Sequence, residues 1–146
     1  SSDLLDAHPN VTGLLFDLPA VVANAPDHAR MTKIGGDFFK SDMPKADLYL
    51  MTHIIHDWAD QESIAILTNL RRAAPKGARL VVYELALPTG PEPHPAKTLD
   101  IVMMTVVGGR ERTSREYDAL FAASGWKSAG AIPTQGPMAL HVARVE

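Results

Sequence analysis

Short apolar segments alternate with helix-start signals along this chain, and that alternation is what most restricts the fold. The apolar segments predict four strands, at residues 11–18, 31–34, 46–52 and 78–85. The last of them is almost continuously apolar, which is typical of a strand covered on both faces of a sheet. Two further segments, 126–132 and 138–145, predict a closing antiparallel hairpin.

Helix signals lie between these strands. Pro19 fits the first turn of one helix, where its missing N–H costs nothing. Asp60 stands where an N-cap is expected, and the helix after it is predicted to end before Pro75. Thr113-Ser-Arg-Glu116 is a capping box that begins a further helix. We therefore predict an α/β fold with a doubly wound, Rossmann-like sheet, mainly parallel and made mixed by the hairpin.

Composition excludes several classes of protein. The 14 Lys and Arg against 17 Asp and Glu leave a net charge of −3 without blocks of like charge, a balance that does not fit nucleic acid or an anionic membrane as partner. The absence of cysteine excludes a disulfide scaffold, a thiolate nucleophile and a cysteine zinc site. No apolar run approaches the roughly 20 residues that span a bilayer. We expect a cytoplasmic globular domain over residues 1–146.

Polar side chains occur where the predicted strands end. Asp17, Asp37, the segment after Thr52 and Glu84 close or follow four strands. Ligands of open α/β sheets bind beyond the carboxyl ends of the strands, so these positions are candidate site residues. Asp17 suits the two hydroxyls of a ribose or, alternatively, a helix cap. Asp37 suits an amine donor such as adenine, with a neighbouring phenylalanine against the base, or alternatively is a turn acid.

The segment from His53 to Trp58 is the richest in reactive side chains. His56 suits a general base, because an imidazole pKa of about 6.5 allows proton removal at neutral pH. The alternative is a buried structural histidine. Glu84 and Glu111 are candidate partners for the imidazole. A metal site on His53 and His56 lacks the usual zinc-helix spacing and an obvious third ligand, so we predict no metal.

Other chemistries have less support. The chain has no Gly-x-Ser-x-Gly elbow, no Gly-x-Gly-x-x-Gly fingerprint and no P-loop. These absences disfavour a nucleophilic serine and a nicotinamide dehydrogenase. Met103 and Met104 fit a helix core, although a thioether also suits a flat aromatic ligand, and Met103 is the residue that we place beside a substrate.

Five blocks of residues, spread from about Leu4 to Val145, carry a family resemblance: Phe16-Asp-Leu-Pro19, Gly35-Gly-Asp-Phe38, His56-Asp-Trp58, Glu84 with Leu87-Pro88, and Gly109-Arg-Glu-Arg-Thr113. In order and near-family spacing they resemble the S-adenosylmethionine-dependent O-methyltransferases of the caffeic acid and hydroxyindole type. Bacterial members of that family act on antibiotic and other polyketide precursors. The resemblance implies a methyltransferase of secondary metabolism that methylates a hydroxyl of a small aromatic or polyketide-type acceptor and releases S-adenosylhomocysteine.

The resemblance also implies roles for individual residues. Asp17 would hold the cofactor's ribose, and Asp37 and Phe38 would line its adenine. Thr52 stands where plant members have a lysine near the cofactor, four residues before the catalytic histidine. His56 would be the base that deprotonates the acceptor hydroxyl, with no metal required.

Four further residues complete the implied site. Glu84 and Glu111 would flank and orient the catalytic imidazole, and Asp57 and Met103 would lie beside the substrate. The family has a glycine-rich first strand and, before it, a helical domain that forms a homodimer; this sequence begins after both. We therefore expect a partial catalytic domain, the C-terminal piece of a longer enzyme. Two alternatives stay open: a relative that hydroxylates or decarboxylates with the same cofactor, and a non-catalytic binding module.

Overall fold

The computed structural model describes residues 2–146 and divides them into two compact units, the first ending at Pro44 and the second beginning at Lys45. Unit 1 contains α1 (Ser2–Ala7), β1 (Gly13–Asp17), α2 (Pro19–Asn24) and β2 (Met31–Gly35). Strands β1 and β2 pair in parallel, with Asp17 opposite Gly35. Pro19 begins α2 as predicted, since the first turn of a helix has no use for its missing N–H.

Unit 2 contains a four-stranded sheet with its helices: β3 (Leu48–Thr52), a single 3₁₀ turn (Ile55–Asp57), α3 (Asp60–Ala73), β4 (Arg79–Leu85), α4 (Pro95–Val106), α5 (Ser114–Ala123), β5 (Lys127–Pro133) and β6 (Met138–Arg144). The strand order is β3-β4-β6-β5, parallel between β3 and β4 and antiparallel elsewhere. The predicted mixed α/β fold and its closing antiparallel hairpin are confirmed. The described strands fall into two sheets, one in each unit.

The core of unit 2 is formed by apolar side chains of α3, α5 and the central strand. Six of them are fully buried: Ile66 and Leu67 from α3, Leu80 and Val82 from β4, and Tyr117 and Phe121 from α5. Burying an aliphatic or aromatic side chain of this size stabilises a fold by about 1.5–3 kcal/mol. This packing therefore provides a rigid support for the loops at the carboxyl ends of β3 and β4.

The two predicted helix caps have different outcomes. The capping box is confirmed, because Thr113 Oγ1 accepts from the Glu116 N–H and the Glu116 carboxylate accepts from the Thr113 N–H. The prediction that Asp60 is an N-cap is wrong: Ala59 occupies that position and Asp60 is the first residue of α3. The carboxylate of Asp60 instead accepts hydrogen bonds from the guanidinium of Arg112, at 2.8 and 3.0 Å. In this pair both partners are charged, so it uses the carboxylate that a helix cap would otherwise use.

Helix α4 is more exposed than the sequence pattern suggests. Met103 is half-buried, whereas Met104 is 56% exposed, so the interpretation of the pair as helix core is wrong for Met104. Ala96 is the only residue of α4 that is buried among the described residues, so this helix has no buried face on which Met104 could pack. None of the helices in residues 2–146 has the length and apolar character needed to cross a membrane.

Candidate active site

His56 lies on the 3₁₀ turn that follows β3, at the carboxyl end of the parallel pair β3–β4. The residue is buried, with 7% of its surface exposed. Its Nδ1 is 2.9 Å from Glu111 Oε1, and its Nε2 is 3.5 Å from Asp57 Oδ1. Only the contact with Glu111 is a hydrogen bond, and an ionised carboxylate only accepts, so Nδ1 carries the proton of the neutral ring and Nε2 keeps a lone pair.

The pKa of His56 is raised above its ordinary value. The main cause is the hydrogen bond to the Glu111 carboxylate, and the negative charges of Glu84, Glu111 and Asp57 act in the same direction. Burial of the ring opposes them, because it disfavours the charged form. The imidazole is therefore a stronger base than a free histidine.

Glu111 is fully buried beside the ring. Its backbone N–H donates to Asp100 Oδ1 at 2.8 Å, which fixes the main chain at this point. Its second oxygen, Oε2, accepts no hydrogen bond from any residue of the described chain. A buried carboxylate with one unsatisfied oxygen keeps much of its negative potential for the imidazole, which gains from it most when protonated.

Glu84 is fully buried at the end of β4 but makes no hydrogen bond to His56. Its Oε1 accepts from the backbone N–H groups of Ile54 and Ile55, at 2.9 and 2.7 Å. Its Oε2 accepts from the Tyr117 hydroxyl at 2.6 Å, and burial together with the Glu84 charge raises the pKa of that hydroxyl well above its usual range. Glu84 thus fixes the backbone that carries His56 rather than the ring itself.

A second buried histidine packs against the ring of Tyr117. His141, on β6, stacks on the Tyr117 ring with centroids 4.0 Å apart. Burial lowers the pKa of His141 to about 4, so its ring is neutral at pH 7. This stacking holds the tyrosine in the position from which its hydroxyl reaches Glu84.

Two residues of the Gly109-Arg-Glu-Arg-Thr113 block have structural roles that the sequence analysis did not assign. A Cβ built on Gly109 would lie 2.8 Å from Asp57 Cα and closer still to the carbonyl oxygen of His56. Arg112 is fully buried and reaches the same turn with its guanidinium. The paired glycines were a signal for close backbone approach, but nothing in the sequence marks a loop arginine as buried.

In unit 1, Asp17 closes β1 and its Oδ1 accepts from the Leu18 N–H at 2.7 Å. The N-cap position of α2 is Leu18, which has no side-chain cap bond, so the alternative of Asp17 as a helix cap finds no support. The Gly36 N–H donates to the Asp17 carbonyl oxygen at 2.9 Å and brings the loop after β2 to the same edge.

Asp37 lies in that loop and closes a local turn. Its Oδ1 accepts from the Phe39 N–H at 2.9 Å, and its Oδ2 is 3.5 Å from Lys40 Nζ. Phe38 is half-buried, with its ring edge-to-face against Phe39 at 5.0 Å between centroids. Asp37 therefore closes a turn, which is the alternative that the sequence left open, and Phe38 follows it directly in the sequence.

Thr52 ends β3 and is exposed. His53 follows with a φ of 53°, in the left-handed region that is uncommon for residues other than glycine. Its ring centroid is 5.4 Å from that of His56. Across residues 2–146, no three or more His, Cys, Asp or Glu side chains are grouped so as to hold a metal ion. The side chain of Asp57 is 41% exposed and so is accessible from solvent.

The sequence of this chain matches a known protein family. A family profile described as the O-methyltransferase domain matches residues 2–127. The chain belongs to the O-methyltransferase family. Phenazine O-methyltransferase from Lysobacter antibioticus is 40% identical over 150 residues, which cover 98% of this chain and 44% of the relative. The resemblance inferred from the five sequence blocks is confirmed.

Solved structures of two methyltransferases share the fold. A methyltransferase of calicheamicin biosynthesis, with S-adenosylhomocysteine bound, is 35% identical with a TM-score of 0.88 over 98% of this chain and 44% of the other. Human N-acetylserotonin methyltransferase, in complex with S-adenosylmethionine, is 26% identical with a TM-score of 0.90 over 97% of this chain and 42% of the other. The chain spans less than half the length of these relatives.

Proposed function

We propose that this chain is the catalytic part of an S-adenosylmethionine-dependent O-methyltransferase that acts on a hydroxyl of a small aromatic or polyketide-type acceptor. The observation that carries the proposal is the buried His56 imidazole, with Nδ1 held by the buried Glu111 carboxylate, which leaves Nε2 with its lone pair. The names of the relatives, a phenazine O-methyltransferase and a methyltransferase of calicheamicin biosynthesis, support the same class of acceptor.

The strand-end residues fit S-adenosylmethionine. Asp17 uses one carboxylate oxygen on Leu18, while no described residue bonds the other, and a carboxylate is the acceptor that ribose hydroxyls need. Asp37 and Phe38 offer an acceptor and an aromatic ring for adenine, and Thr52 offers an exposed hydroxyl. When bound, S-adenosylmethionine supplies a methyl group made electrophilic by the attached sulfonium.

His56 acts in this proposal as the general base. Its Nε2 accepts the proton as the O–H bond of the acceptor breaks, and the acceptor oxygen keeps the released electron pair as the nucleophile for the methyl group. The bond from the methyl carbon to sulfur would break as the new carbon–oxygen bond forms, and its electron pair would stay on sulfur in S-adenosylhomocysteine. Glu111 stabilises the imidazolium through Nδ1, and Asp57 lies within 3.5 Å of the protonated Nε2. Glu84 keeps the turn in place, which would hold the base in one position against the acceptor hydroxyl.

The test is methyl transfer from isotopically labelled S-adenosylmethionine to a panel of phenols and hydroxyphenazines, read by mass spectrometry. The protein is used as this chain and as any longer natural chain that contains it. We expect a product heavier by one methylene group, and we expect His56→Gln to lower its rate about 10²–10⁴-fold. His8→Gln, a change at an exposed histidine, should leave the rate unchanged.

Two results would contradict the proposal. A product heavier by one oxygen, or lighter by carbon dioxide, would assign the site to hydroxylation or decarboxylation. Equal rates for the wild type and His56→Gln would remove His56 from the role of base. Calorimetric titration with S-adenosylhomocysteine gives an independent check, because a chain that is folded but binds none at any length lacks the proposed cofactor site.

A further inference from the structure

We infer that Arg112 is a positioning residue for His56. Arg112 binds the backbone of the turn that carries His56, and the adjacent Glu111 binds the imidazole ring. The inference rests on the proposed role of His56 and deepens it, because it names the residue that keeps the imidazole within hydrogen-bond distance of Glu111.

The turn that carries His56 has few backbone hydrogen bonds of its own. Residues Ile55–Asp57 form a single 3₁₀ turn with two internal backbone hydrogen bonds, from Asp57 N to Ile54 O and from Trp58 N to Ile55 O, both 3.2 Å. One 3₁₀ turn has poor hydrogen-bond geometry and little intrinsic stability. The turn must therefore be stabilised by groups outside it.

Arg112 provides two of those stabilising contacts. Its Nη1 donates to the carbonyl oxygen of Ile55 at 3.1 Å, and its Nη2 donates to that of Trp58 at 2.8 Å. These carbonyls lie immediately before His56 and two residues after it, so the guanidinium bridges the turn from one side to the other. Asp60 Oδ1 accepts from Nε and Nη2 and fixes the plane of the fork.

The segment that carries Arg112 is itself anchored. Arg112 forms a parallel bridge with Ala86, just after β4, and its carbonyl oxygen accepts from the Leu87 N–H at 2.9 Å. The neighbouring Glu111 holds the ring of His56 through Nδ1. One short, anchored segment thus fixes both the main chain and the side chain of the base. Loss of the main-chain contact lets the turn move relative to Glu111 and lengthens that hydrogen bond.

The experiment compares Arg112→Lys with Arg115→Met and measures the pKa of His56 by NMR titration in the folded chain. Lysine keeps the buried positive charge but replaces the planar fork by a point donor that cannot bridge two carbonyls. We expect the pKa of His56 to fall towards 6.5 in Arg112→Lys, because the bond to Glu111 is the main reason that it is raised. Arg115 is exposed, so its replacement should leave that pKa unchanged.

A folded Arg112→Lys variant whose His56 keeps its raised pKa would overturn the inference and leave Arg112 with a purely structural role. If that variant does not fold, Asp60→Ala is used instead, because it removes the acceptor that orients the guanidinium from a partly exposed position. The same fall in pKa, smaller in size, is then expected, and its absence overturns the inference. Once an acceptor is identified, the kcat of Arg112→Lys should fall about tenfold or more, with KM unchanged. The titration needs neither cofactor nor acceptor, so its outcome is independent of the test of methyl transfer.

Discussion

Replacing Gly109 by alanine is expected to destabilise unit 2 by about 3 kcal/mol or more, a large effect for the addition of one methyl group. The added Cβ would lie 2.8 Å from Asp57 Cα and would overlap the carbonyl oxygen of His56. Both neighbours are backbone atoms, so no side-chain rotation relieves the clash. The loop must move away from the turn, which breaks the hydrogen bond from Arg110 N to His56 O and separates Glu111 from the imidazole.

Urea unfolding followed by tryptophan fluorescence measures this effect, since Trp126 is buried in unit 2. Gly136→Ala is the matched control, because a Cβ at Gly136 meets no atom within 4 Å. The control should change the free energy of unfolding by less than about 0.5 kcal/mol. Equal unfolding midpoints for the two variants would mean that the loop does not pack against the turn as described.

Replacing Glu84 by leucine is expected to have an effect of similar size through lost hydrogen bonds rather than overlap. The change leaves the N–H groups of Ile54 and Ile55 and the hydroxyl of Tyr117 without their acceptor. Each unsatisfied buried group costs about 1–3 kcal/mol, so the sum is about 3 kcal/mol or more. Leucine has a similar volume, so cavity formation adds little to the expected loss.

The control for this prediction is Glu84→Gln. The amide oxygen can still accept from both backbone N–H groups, and the amide nitrogen can donate to the Tyr117 oxygen. We expect it to stay within about 1 kcal/mol of the wild type in urea unfolding. If leucine and glutamine were equally tolerated at this position, the hydrogen bonds of Glu84 would not be what holds the turn.

The elements that could be predicted from the sequence are those with a local cause. Pro19 at a helix start, the Thr113–Glu116 capping box and the closing hairpin each depend on residues a few positions apart, and each is present. Asp60 shows where this reasoning fails. Its residue type suits an N-cap, but a guanidinium 52 positions away in sequence takes its carboxylate instead. A competition of that kind cannot be predicted from the sequence, because the carboxylate and the guanidinium become neighbours only in the folded chain.

The candidate site was likewise predictable only in part. The strand-end rule identifies Glu84, and the loop motif identifies Glu111, but their different contacts follow from tertiary structure. Glu111 binds the ring of His56, whereas Glu84 binds the backbone before it. The burial of Arg112 could not be predicted, because a charged loop residue is normally solvated. The roles assigned to all the site residues stay predictions: His56, Glu84, Glu111, Asp17, Asp37, Phe38, Thr52, Asp57 and Met103.

We propose that His56 is a base whose basicity is set by Glu111. The direct measurement is a ¹H–¹⁵N NMR titration of the histidine rings, with the His56 signals assigned through His56→Gln. Glu111→Gln removes the carboxylate, and Glu62→Gln removes an exposed carboxylate as the control.

We predict that His56 titrates above pH 6.5 in the wild type and in Glu62→Gln, with the proton of the neutral ring on Nδ1. In Glu111→Gln the pKa should fall to 6.5 or lower, because burial of the ring then acts with less opposition. As a result, the neutral, proton-accepting form of His56 would predominate down to a lower pH in that variant. A wild-type pKa at or below 6.5, or one that Glu111→Gln leaves unchanged, would contradict the account.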